Sequence, residues 1–167
     1  TSTEGLRRLL LVLIRDLRPR SMSSWLAERE QPSPPQARAE RRRVEITRAL
    51  VLDPRFTRTA AHATEYVRFR SGTDIAVIWG MLHHIFNNGW EDKEFIKQRV
   101  YGMDQIRAEV AKWTPEEVER VTGIPGEQMK KVAETFAKQK PSTFIWCMGG
   151  TQHTVGTANV RAYCDLL

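Results

Sequence analysis

Three short strand-like runs restrict this chain more than any other feature. Each is stopped by a polar or glycine-rich corner, and segments with helical spacing separate them. Ala49-Leu50-Val51-Leu52 stops at Asp53-Pro54-Arg55. Tyr66-Val67-Arg68-Phe69-Arg70 alternates and stops at Ser71-Gly72-Thr73-Asp74. Residues 142–147 are followed by Met148-Gly149-Gly150. Short apolar or alternating runs bounded by turn residues read as strands. Between the second and third runs the period changes. Residues 75–86 are apolar almost all round, which predicts a buried helix, and Gly89 supplies a left-handed cap. Residues 91–100 and 103–113 predict two more helices. Thr114-Pro115-Glu116-Glu117 is a helix-start signal, with Thr as N-cap, Pro in the first turn and Glu closing a capping box. That helix stops at Gly123. Another opens at Pro125 or Gly126 and runs through Met129, Val132, Ala133 and Phe136 until Pro141. A short helix is expected over 56–63 and a last one from 155 onward. Strands alternating with helices predict an α/β layered domain with a mostly parallel sheet flanked by helices. Ligands of such sheets lie beyond the carboxyl ends of the strands, where the three corners fall.

Residues 1–48 have a different character, and the chain divides there into a lead-in (1–48) and an α/β portion (49–167). Leu6, Leu9, Leu10, Leu13 and Leu17 share a helical face, which predicts a helix over 3–17. The cluster Pro32-Ser33-Pro34-Pro35 then forces a loop or disordered linker, because clustered prolines forbid helix. The net charge of +6 invites a nucleic-acid reading, yet it is unevenly placed. Residues 1–52 hold eleven Arg, no Lys and six acids, whereas the remainder is close to neutral. Little aromatic interleaving accompanies Arg41-Arg42-Arg43, so a solvated basic face is the expectation and a nucleic-acid-binding module the alternative. The Arg-, Ser- and Pro-rich composition without lysine also resembles GC-rich coding DNA read in another frame. The first residue, Thr1, suggests part of a longer protein.

With 41% hydrophobic residues the chain can bury a core. No apolar run reaches the roughly 18–20 residues of a membrane span. Leu9 to Ile14 superficially matches a secretion signal, but Arg15, Asp16 and Arg18 follow at once. The two cysteines, Cys147 and Cys164, fit neither a redox pair nor a four-thiolate cluster site. His83 and His84 are adjacent, so on a helix they point about 100° apart and cannot chelate one metal as an i, i+4 pair would. No phosphate loop, nucleophile elbow or zinc-protease motif is present in the sequence.

Each corner has two readings. Asp53 is placed to accept from a ribose hydroxyl or a guanine edge, with Arg55 near a phosphate, or the pair is an ordinary Asx turn. Thr73 and Asp74 either cap the next helix or present a carboxylate to a guanine edge. Met148-Gly149-Gly150 either admits a ligand close to the backbone or is a plain strand-to-helix turn.

The run Val51-Leu52-Asp53-Pro54-Arg55-Phe56-Thr57-Arg58-Thr59-Ala60-Ala61 is followed by Arg70-Ser71-Gly72-Thr73-Asp74-Ile75-Ala76. Met148-Gly149-Gly150-Thr151-Gln152-His153-Thr154-Val155-Gly156 and Asn159-Val160-Arg161 come after. In that order they resemble the catalytic α subunit of molybdenum-dependent formate dehydrogenases, members of the molybdopterin oxidoreductases. The resemblance covers about residues 49–167. It implies oxidation of formate to carbon dioxide at molybdenum or tungsten held by molybdopterin guanine dinucleotides. It further implies an iron–sulfur electron-transfer partner subunit, and a 4Fe–4S cluster outside the matched region. By the same resemblance Asp53, Arg55 and Thr57 line the guanosine end of one dinucleotide. Gly72, Thr73 and Asp74 flank that nucleotide, with Asp74 toward the guanine edge. Met148 and Gln152 lie near its pterin or phosphate portion, and Gly149 allows close approach. The family's cluster-binding cysteines, its Cys-His or selenocysteine-His pair at the metal and its formate-binding arginine have no match here. No catalytic or metal-ligating residue is therefore expected, and the chain reads as a middle fragment, inactive alone. Gly150 is smaller than what the family often carries there. Another molybdopterin oxidoreductase, such as a nitrate reductase, is the alternative within the family. The compartment, periplasmic or cytoplasmic, stays open.

Overall fold

The structure is a computed structural model, and it describes residues 9–13, 48–140 and 142–167. Its four-stranded sheet contains β1 (Leu9–Leu13), β2 (Arg48–Leu52), β3 (Glu65–Val67) and β4 (Ser142–Trp146) in the order β3-β2-β1-β4. All three pairings are parallel. The helices are α1 (Asp74–Asn88), α2 (Lys93–Arg99), α3 (Met103–Val110), α4 (Pro115–Thr122), α5 (Gly126–Lys138), the single turn α6 (Met148–Thr151) and α7 (Gly156–Leu166). The α/β class and the parallel sheet agree with the sequence.

The lead-in brings one correction. Leu9–Leu13, expected within a helix, is a strand between β2 and β4, with Leu11 in register with Leu50 and Phe144. A five-residue apolar run satisfies helix and strand patterns alike, and tertiary pairing decides between them. The rest of the expected helix, the proline cluster and the triple arginine lie outside the described residues.

Alternation along the strands separates the two faces of the sheet. Leu50, Leu52, Val67 and Phe144 join the main core with Val77, Ile78, Met81 and Leu82 of α1, Val132 and Phe136 of α5, and Tyr163 and Leu166 of α7. Val51 points the other way, toward Ala60, Ala63 and Tyr66. Burial on both faces explains why β2 reads as a continuous apolar run.

Helix ends follow local chemistry. Gly89 and Gly123 end α1 and α4 in the left-handed region, at φ 64° and 77°. Thr114 caps α4, accepting from Glu117 N at 3.3 Å. The expected capping box is only half formed, because the Glu117 carboxylate turns outward to take Nε and Nη2 of Arg120 at 2.9 and 2.6 Å. Asp92 caps α2, accepting from Phe95 N at 2.9 Å. The helix expected over 56–63 shrinks to a 3-10 turn, Ala60–His62, started by Thr57 Oγ1 accepting from Ala60 N at 3.2 Å. The second strand is also shorter than expected. After Val67 the chain leaves the sheet, and Arg70 N donates to Thr122 O at the end of α4.

Candidate functional site

Parallel pairing puts the carboxyl ends of β2, β3 and β4 at one edge of the sheet. Leu52 registers with Val67, Val51 with Val12, and Leu13 with Trp146. With strands about 4.8 Å apart, the β2 and β4 corners lie about 10 Å apart through β1. The three corners singled out in the sequence thus share one edge.

At the β2 corner Asp53 is 1% exposed. Its amide continues the ladder, donating to Val67 O at 3.2 Å. Its Oδ1 accepts from Arg55 N at 2.7 Å, closing an Asx turn. The Tyr66 hydroxyl donates to Asp53 O at 2.9 Å. Burial first, and then the Asp53 charge, hold the Tyr66 phenol above its usual range, which keeps it a donor. Phe56 packs edge-on against Tyr66 with ring centroids 5.3 Å apart. Arg55 is exposed. The Thr57 hydroxyl is engaged as the start of the 3-10 turn.

The β3 corner is built on Arg70 and Gly72. Gly72 has φ 87°, the left-handed conformation that favours glycine. Thr73 does not cap α1. Its hydroxyl turns back and donates to Arg70 O at 2.7 Å. Asp74, in the first turn of α1, is 3% exposed. The Arg70 guanidinium donates to Arg120 O and to Val121 O, so this loop is tied to the carbonyl end of α4. Sequence reading missed Arg70 as an anchor. An arginine two residues before a turn glycine carries no pattern that identifies the helix end it will meet.

At the β4 corner Gly149 and Gly150 are buried, whereas Met148 and Gln152 are exposed. Gln152 N donates to Met148 O at 2.7 Å. His153 Nε2 lies 2.7 Å from Gly149 O. A carbonyl only accepts, so that nitrogen carries the hydrogen. The buried Asn159 amide donates to Gly150 O at 2.9 Å. A Cβ on Gly150 would stand 2.7 Å from Tyr163 Oη, and one on Gly156 would stand 2.0 Å from Thr151 O. The small residue at 150, where the resemblance led to something larger, is matched by the Tyr163 ring that fills the space.

The edge therefore brings together two buried carboxylates, an exposed guanidinium and an exposed amide. Carboxylates suit a guanine N–H edge or a ribose diol, and a guanidinium suits a diphosphate. In kind, this set fits a guanine dinucleotide. The described residues hold no cluster of three or more His, Cys, Asp or Glu that could bind a metal ion.

No family model matches the chain. Among curated proteins it is 33% identical over 120 residues to F420-dependent formate dehydrogenase 1 subunit alpha of Methanococcus maripaludis. That match covers 72% of this chain and 18% of the relative. It is 33% identical over 117 residues to formate dehydrogenase H of Escherichia coli, covering 70% of this chain and 16% of the relative. Among solved structures it resembles acetylene hydratase from Pelobacter acetylenicus, with a TM-score of 0.75 and 26% identity. That alignment covers 95% of this chain and 20% of the other. A parallel α/β layer with its polar corners at one edge, carrying these likenesses, places the chain in the molybdopterin oxidoreductase family. Its sequence relatives there include formate dehydrogenase α subunits, and the chain spans less than a fifth of their length.

Proposed function

We propose that this chain is a portion of a formate dehydrogenase α subunit, and that its strand-end edge contacts one molybdopterin guanine dinucleotide. The carrying observation is the coincidence of the Asp53, Gly72–Asp74 and Met148–Gln152 corners at one sheet edge, in a chain about one-third identical to formate dehydrogenases. When bound, the molybdenum centre supplies the two-electron oxidation of formate. The residues here bind and orient. Asp53 and Asp74 accept from the guanosine hydroxyls and guanine edge. Arg55 and Thr57 line the guanosine end with Asp53, and Arg55 reaches toward a phosphate. Gly72 and Thr73 shape the loop beside the nucleotide. Met148, Gly149 and Gln152 stand near the pterin or phosphate portion. The electrons pass to an iron–sulfur partner subunit in the whole enzyme, whose metal-proximal chemistry belongs to other segments. In this reading the chain divides into a lead-in over 1–48, which lends Leu9–Leu13 to the sheet as β1, and an α/β portion over 49–167.

The test is expression of the complete gene, followed by molybdenum content and formate-dependent dye reduction. Asp74→Ala and Gln152→Ala are each expected to lower bound molybdenum several-fold; full retention in both overturns the assignment. A second reading, another activity of the same family, is favoured by the acetylene hydratase likeness over 95% of the chain. Molybdenum loading without formate-dependent reduction would select it.

A further inference from the structure

Arg70 opens the Gly72 corner and meets the carbonyl end of α4 with both its main chain and its side chain. Its amide donates to Thr122 O at 2.9 Å. Its guanidinium donates to Arg120 O and, at 3.2 Å, to Val121 O. The last carbonyls of a helix have no donor within the helix, and they carry the negative end of its dipole. A cationic fork beside a main-chain amide therefore satisfies three of them in a row. The guanidinium also lies beside Gly123, where an added Cβ would stand 3.6 Å from Cζ. The receiving end is itself fixed. Gly123 N donates to Glu119 O at 2.8 Å, and the buried Thr122 hydroxyl donates to Val118 O at 2.7 Å.

On its other side Arg70 holds the corner. Its carbonyl accepts from Thr73 N at 3.2 Å, which closes the turn over Ser71-Gly72, and from Thr73 Oγ1 at 2.7 Å. Asp74 follows at once as the first residue of α1. Further along, α1 touches the same helix again: a Cβ on Gly80 would stand 2.7 Å from Val118 Cγ1. Helix α4 is thus the common frame for the loop and the helix that carry Asp74. The two attachments differ in kind. Val77, Ile78 and Met81 bury α1 in the core, whereas Arg70 is exposed and lies outside it. Removing the Arg70 head group should therefore free the loop and leave the helix seated.

We propose that Arg70 is a positioning residue for the cofactor edge: it clamps the 71–73 turn to the end of α4 and so fixes where the Asp74 carboxylate meets the guanine nucleotide. The inference rests on the cofactor reading above and adds to it a residue outside the contact set. Small shifts suffice for the effect, since a hydrogen bond stretched by about 1 Å from its usual length of about 2.9 Å is lost.

The test uses the complete enzyme expressed from the whole gene. Molybdenum per subunit is measured by mass spectrometry, with far-ultraviolet circular dichroism as the folding control. Arg70→Ala is expected to lower bound molybdenum about fivefold. Arg70→Lys keeps the cation but not the fork and should lower it by less. Pairing separates positioning from general support of the fold. Added to Asp74→Ala, Arg70→Ala should cause no further loss, because the group it positions is gone. Added to Gln152→Ala, at the β4 corner, its loss should multiply. Full molybdenum in Arg70→Ala overturns the proposal, and so does the same behaviour in both pairs. If the alanine variant is insoluble, Arg70→Lys is carried through the same two pairs and judged by the same outcomes. Loss in Asp74→Ala with full retention in Arg70→Ala removes this inference alone. Full retention in Asp74→Ala removes the cofactor reading of that corner, and this inference with it.

Discussion

The β2 and β4 corners occupy the same edge of the sheet and are held in opposite ways. At β2 the backbone is fixed by side chains: Asp53 accepts from Arg55 N, and Tyr66 donates to Asp53 O. At β4 it is fixed largely by missing side chains: Gly150 leaves room for Tyr163, and Gly156 lets its own backbone meet Thr151 O. His153 and Asn159 then tie the glycine carbonyls. A corner made by hydrogen bonds loses stability gradually when edited. A corner made by close packing fails steeply, because interiors resist even one added carbon.

The steepest failure is expected at Gly156. A methyl group there meets a backbone oxygen at 2.0 Å, so relief requires the α6–α7 connection to move. Gly156→Ala should cost about 3 kcal/mol or more, read as a drop in unfolding midpoint in urea. Gly150→Ala is milder, at roughly 1–3 kcal/mol, because it meets a side chain instead. A double-mutant cycle sharpens the point. Tyr163→Phe removes the nearest atom, at 2.7 Å, yet leaves the ring carbon at 3.1 Å. The phenylalanine background should therefore recover part of the Gly150→Ala loss. Strict additivity would show that the β4 corner is not set by this packing.

At the β2 corner the losses should be smaller and sensitive to chemistry. Asp53→Ala removes the acceptor for Arg55 N and is expected to cost about 1–2 kcal/mol. Asp53→Asn retains a carbonyl oxygen for that bond and should recover most of the loss in chemical denaturation. An alanine variant as stable as the parent would place Asp53 outside the fold's support altogether.

This contrast also explains what could be read in advance. The Asx turn at Asp53-Pro54-Arg55 and the glycine stops at Gly89 and Gly123 were legible because each is local: the residue that solves the problem sits within a turn of it. Leu9–Leu13 was not legible as a strand, since its partners lie at Arg48–Leu52 and Ser142–Trp146 and only their pairing overrides a helical pattern. Thr73 reads as a cap in sequence and fails to cap because Arg70 O, held in place by the end of α4, offers its hydroxyl another acceptor. Gly150 likewise signals a turn locally, while the reason for its size is Tyr163, in the next helix. The positions of the three corners were therefore visible, and the contacts that hold the second and third were not.

The weakest test concerns the tie between β3 and α5. Glu65 opens the strand that leads to the Gly72 corner, and it accepts from Lys131 Nζ at 2.6 Å and Gln128 Nε2 at 3.0 Å. These two bonds, Lys131 first, hold the Glu65 carboxyl below its ordinary value of 4.5. A folded pKa lowered in this way adds stability that is fully present above 4.5 and lost as pH falls through the folded value. Lys131 is largely exposed, so the gain should stay below about 1 kcal/mol. Glu65→Gln should therefore be slightly less stable than the parent near pH 7. The gap should close as the solution is taken below pH 4.5, as judged by paired urea titrations. Persistence of the gap in acid would mean that Glu65 supports β3 through contacts that do not depend on its charge, such as its hydrogen bond from Gln128, and that its charge adds nothing.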